Sequence, residues 1–185
     1  MVDLAEIQAV YYMVAATGVL VAAIFYILNL RVSQRNMKAT LQTRKLQLAT
    51  SLADNLFNEE GFRRYCELMN MEWRDYDDFE KKYGSDFNPD NYAKRTTSSY
   101  TFNMVGTLLK EKLVDPEMLY DMGMIGASFI WYKFEDVLLY QRKRYMGADH
   151  YVNFELLAKE MMRIKVERDP SYKIPKTFLM YVPEK

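Results

Sequence analysis

The chain has 185 residues, half of them hydrophobic, and its 25 basic and 25 acidic side chains cancel. That length suits one domain with appendages, and a body of roughly 140 residues can bury a core without disulfide or metal staples. The charge is uneven: residues 1–30 carry −2, residues 31–53 carry +5 and the remainder −3, so the mildly acidic body lacks the broad cationic face that nucleic acid demands and a nucleic-acid partner is excluded.

The first element is a membrane span. Residues 7–30 form a run of 24 without a charged side chain, and a helix needs about 20 to cross the hydrocarbon layer. A secretory signal peptide fits poorly: Asp3 and Glu6 precede the run where positive charge is required, the run is too long, and no small-residue cleavage pattern ends it. Tyr11, Tyr12, Phe25 and Tyr26 suit interfacial aromatic belts. Ala15, Gly18 and Ala22 share one helix face, where small side chains let a second transmembrane helix approach.

Arg31, Arg35, Lys38, Arg44 and Lys45 follow the span and no basic residue precedes it. Basic residues flanking a span stay in the cytoplasm, so the expected topology is single-pass in the cell membrane, N-terminus outside and body inside. The same five side chains are topology and snorkelling anchors at lipid headgroups; alternatively, Arg31, Arg35 and Lys38 form a face for anionic lipid.

Residues 31–57 hold neither proline nor glycine, so the helix is expected to continue past the membrane, with Leu41, Leu48, Leu52 and Leu56 as an apolar stripe. Asn58 reads as the N-cap of a helix ending near Met71, with Phe62, Tyr65, Cys66 and Met69 on its apolar face. Cys66 is the sole cysteine; it permits no internal disulfide and reads as a small buried hydrophobe. Asp75 caps a short helix that runs to Tyr83 and stops at Gly84, and residues 85–90 are a loop by composition. A long helix follows from about Asp90 to Leu113, striped by Phe102, Val105, Leu108, Leu109 and Leu113.

Asp115, Pro116 and Glu117 give the clearest helix start in the chain. Residues 122–132 are strongly apolar but only 11 long, a buried core helix rather than a second span. Gly123 and Gly126 break it, kink it or admit close packing. It closes at the basic residues Arg142, Lys143 and Arg144 before Gly147, and Asp149 opens a last helix to about Arg168. The tail carries Pro170, Pro175 and Pro183 and is expected to be extended, with Phe178, Leu179, Met180 and Tyr181 available for docking.

The expected fold is all-α: an N-terminal single-pass transmembrane helix continuing into a cytoplasmic helical bundle. The boundaries are 1–30 for the short outer segment and span, 31–57 for the basic juxtamembrane helix, 58–168 for the helical domain and 169–185 for the tail. Residues 102–111 and 113–121, with Trp131 in the next helix and Tyr151, Asn153, Phe154 and Leu157 in the last, resemble the prokaryotic family known as domain of unknown function 4760. The resemblance implies the same order of elements and carries no activity with it.

No catalytic, cofactor or metal site is expected. One histidine and one cysteine exclude the usual zinc patterns, and no phosphate-binding glycine loop or nucleophile elbow occurs. The acidic residues 72–80 read as a solvated turn and cap, and His150 as a surface or capping histidine. Glu135 and Asp136 beside Trp131 are expected to pair with Lys133, Arg142 or another base. Most of the 13 methionines are expected in the core, although Met118, Met122, Met124, Met161 and Met162 would also make a soft partner surface. Tyrosine and phenylalanine number 25, which leans toward an interface. The expected function is therefore a membrane-anchored, non-enzymatic accessory, scaffold or regulatory subunit, in contact with membrane lipid and either homo-oligomeric or bound to other membrane-protein subunits. The alternatives are a lipid- or membrane-responsive transducer and an enzyme on a membrane-derived substrate.

Overall fold

The computed structural model describes residues 3–174, and every regular element among them is helical. The expected extended conformation of the tail falls largely on residues 175–185, outside the described ones. The chain divides into two compact units, Met1–Gln47 and Leu48–Lys185.

In the first unit, α1 (Leu4–Leu56) begins and runs unbroken, as the lack of proline predicts. Its stretch Leu4–Leu52 is the only one among the described residues long and apolar enough to cross a membrane. Every side chain from 3 to 44 is exposed. Leu41 is among them, so the expected leucine stripe does not run its full length: Leu52 is buried and Leu48 and Leu56 pack against the core, while Leu41 is 54% exposed.

The second unit holds the remaining helices. α2 (Glu59–Met69) is capped by Asn58, whose side chain accepts from the Gly61 amide at 2.8 Å. Leu68 is its buried residue, with Tyr65 and Met69 partly covered beside it. The buried face is centred there, so Phe62 and Cys66 fall at its edge and are exposed; Cys66 is not the core hydrophobe expected. α3 (Tyr76–Tyr83) starts at the Asp75 cap and ends at Gly84. α4 (Pro89–Lys110) starts one residue before the expected Asp90, because Asn88 accepts from the Asn91 amide and Pro89 takes the first helical position, where its missing N–H costs nothing.

The apolar stretch after Asp115 is broken, not continuous. α5 (Pro116–Asp121) ends where Gly123 adopts φ +93°, a conformation that disfavours any residue with a Cβ. α6 (Ile125–Gln141) then restarts, with Gly126 inside it. α6 tightens no further at its end but widens into a single π turn, Arg142–Met146, closed by the Gly147 amide on the Arg142 carbonyl.

α7 (Val152–Arg168) corrects another expectation. Asp149 does not cap it. The cap position belongs to Tyr151 at φ +54°, which makes no side-chain capping bond. The free amides at the helix start are satisfied from a neighbouring helix instead: the Asn103 carboxamide oxygen on α4 accepts from both Asn153 and Phe154, each at 3.1 Å. Asn153 returns a bond to the Thr107 hydroxyl at 2.9 Å. One turn from Asn103, Gly106 lies so close to α7 that a Cβ there would sit 1.8 Å from the Asn153 carbonyl oxygen.

α7 is the hub: it packs against α4, α6 and α5, while α2 lies on α6 and α3 on α4. Phe154, Leu157, Ala158 and Met161 recur at three and four residues and are fully buried. Phe154 stacks on Phe102 of α4 and meets the edge of Trp131 of α6, both at 5.2 Å. Trp73 stacks on Phe134 and meets Phe79 edge-on. Ser128 of α6 donates across to the Ala158 carbonyl at 2.6 Å. Much of the aromatic surplus therefore fills the core, as do Met124, Met161 and Met162; Met118 and Met122 stay half-buried.

Candidate interaction groove

The sequence-predicted positions on α1 all lie in the first unit. Ala15, Gly18 and Ala22 are exposed, and nothing lies within 4 Å of a Cβ placed on Gly18. Arg31, Arg35, Lys38 and Arg44 are exposed along α1 and Lys45 is half-buried.

The positions weighed for chemistry do not converge. Glu135 is half-buried and accepts from the Trp131 indole N–H at 3.2 Å, while Asp136 is exposed. Arg142 pairs with Glu155 of α7, not with Glu135, and lies 5.3 Å over the Trp131 ring. The His150 ring lies tilted against Tyr151, centres 3.8 Å apart, and burial, then the neighbouring Arg142, depresses its pKa. Among the described residues no three histidine, cysteine, aspartate or glutamate side chains gather into a metal-holding group.

Two buried cations were not legible in the sequence. The Arg95 guanidinium lies 4.7 Å over Phe79 and 5.3 Å over Tyr92, and burial lowers its pKa. Lys133 is 4% exposed within the apolar α6. Its ammonium donates to the Met69 carbonyl at the end of α2 and lies 5.7 Å from the Trp73 ring. Burial pulls its pKa down to about 8. Its only signal in the sequence was its place inside a hydrophobic run.

The feature suited to binding is an apolar groove of about 860 Å³ in the second unit. One wall is the end of α1 with the turn into α2, bringing Leu52, Leu56, Phe57 and Phe62. The opposite wall is α4 with Thr97, Thr101 and Met104, and the floor is the α5–α6 break with Met122, Gly123 and Ile125. The backbone explains the hollow. Gly123 has no side chain to fill it, and the Phe57 ring stands 3.6 Å from where a Cβ would be. Phe57 and Phe62 lean together with ring centres 6.1 Å apart. Phe62 is 54% and Met104 50% exposed, so large apolar groups flank the opening. Glu60 is the sole carboxylate lining it. The volume falls in the range of ligand and partner clefts, and the apolar lining suits the binding of apolar groups. The sequence had named many of its lining residues, Leu52, Leu56, Phe62, Tyr65 and Met122 among them, but as members of separate elements; it did not bring them together, nor Phe57 or Met104 to them.

No curated protein and no solved structure matches the chain. The family model described as domain of unknown function (DUF4760) matches residues 13–161, from within the apolar part of α1 to the middle of α7, and with well over half of its length inside that match the chain belongs to this family.

Proposed function

We propose that this protein is a membrane-anchored, non-enzymatic interaction protein: an accessory, scaffold or regulatory subunit whose body receives an apolar segment of another membrane-associated chain. The groove between α1, α2, α4 and α6 carries this reading, because its open, apolar walls suit docking.

The apolar part of α1 is the anchor. A helix this apolar with no covering protein surface is stable where lipid covers it. Arg31, Arg35, Lys38, Arg44 and Lys45 then hold the body on the cytoplasmic side and rest against lipid headgroups. The Ala15, Gly18 and Ala22 face is where a second span or a second copy of this one packs.

The test is a groove variant that leaves the core intact. Phe62→Asp with Met104→Asp changes two exposed positions. Extraction of the variant from its native membrane in gentle detergent is expected to lose the co-purifying chains that the unaltered protein retains. Retention of the same chains in the same ratio would contradict the reading.

A further inference from the structure

We propose that the groove has an occupant within the chain itself: residues 178–182, Phe-Leu-Met-Tyr-Val, dock there in cis and compete with the partner segment. The inference rests on the proposed reading in taking the groove as a docking surface, and it adds that surface's regulation.

The first argument is where the described chain ends. After α7, Asp169 forms a turn, with Ser171 bonded to its carboxylate and the Tyr172 amide on its carbonyl at 3.0 Å. Arg168 is fixed on α5 by Glu117 and Asp121 and lies 4.6 Å over the Tyr120 ring. The Tyr120 carbonyl in turn accepts from the Gly123 amide, and Gly123 lines the groove. The Tyr172 ring centre sits 4.6 Å from the Lys165 ammonium, and Tyr65, another lining residue, has its pKa raised first by burial, then by the neighbouring Cys66 and Tyr172. The end of the described chain and the groove thus share α5 and Tyr65 as neighbours.

Length is the second argument. Eleven residues follow Ile174. At about 3.3 Å per extended residue, position 178 reaches roughly 13 Å beyond Ile174 and position 182 roughly 26 Å. Chemistry is the third. The five residues are all apolar or aromatic, and Pro175 and Pro183 bracket them. Alternate side chains of any extended segment share one face, and the three apolar groups of Phe178, Met180 and Val182 are what the walls at Phe62 and Met104 would receive.

The test is disulfide trapping in the full chain with Cys66→Ser, in detergent at low concentration. Met180→Cys is paired with Met104→Cys at the groove, or with Leu139→Cys, an exposed position outside its lining. The groove pair is expected to close an intramolecular disulfide about tenfold faster than the other. Phe178→Asp with Val182→Asp is expected to abolish that difference. Equal rates for the two pairs would overturn the proposal. Linked dimers in place of linked monomers would also overturn it, by assigning the tail to a second copy. Because the rates are read on the isolated chain, loss of the partner reading leaves them unchanged, and failure of the trap leaves the partner experiment intact.

Discussion

Lys133 is the residue whose chemistry most directly reports on the fold. Its ammonium is enclosed by α2, α6 and Trp73, and its pKa is held near 8 by burial, against about 10.4 for an exposed lysine. The folded state therefore gives up this proton before the unfolded state does. Between those values the unfolded chain binds more protons, so stability rises with pH. Denaturant unfolding between pH 8 and 9.5 is expected to show a gain on the order of 1 kcal/mol that Lys133→Met removes. A flat profile in the unaltered protein would place Lys133 in water. The residue also explains why the sequence was a poor guide at this point. The sequence offered Lys133 only as a partner for Glu135 or Asp136, whereas here its stem is packed and its head closes the end of α2.

At the scale of elements, local signals and tertiary ones separate cleanly. The caps at Asn58, Asp75 and Asp115 were legible because each acts within its own turn. The α7 start was not, since its cap comes from Asn103, 50 residues earlier in the chain, and no local pattern announces it. The same holds for the groove. Gly123 signals a break, but only the packed bundle brings Phe57 and Met104 to that break. Asn103 gives the sharpest element-scale prediction. Asn103→Ala leaves the backbone amides of Asn153 and Phe154 without their acceptor and is expected to cost about 1–2 kcal/mol in chemical denaturation. Asp149→Ala, at the position favoured by the sequence, is expected to cost no more than about 0.5 kcal/mol. The reverse order would restore Asp149 as the cap.

For the whole molecule, the fold class and the order of helices followed from the periodicity of the apolar residues, while the surface that matters for function did not. The all-α body and the family agree with the pattern of residues 102–121 and of Trp131, Phe154 and Leu157; of these Phe102, Val105, Leu109, Leu119, Trp131, Phe154 and Leu157 prove to be buried packing residues of α4, α5, α6 and α7. Placement of the body relative to the membrane has a direct readout in Cys66, the sole cysteine and exposed on α2. A membrane-impermeant thiol reagent is expected to leave Cys66 unlabelled in intact cells and to label it once the membrane is opened. Labelling of intact cells would put the body outside.

Association through the body of an anchored chain is read most directly from the mass of the species extracted from the native membrane in gentle detergent, with every co-purifying chain identified. The expected species is a discrete assembly, heavier than the 22.0 kDa chain, that the groove variant disrupts. A monodisperse 22.0 kDa species from the unaltered protein would contradict it.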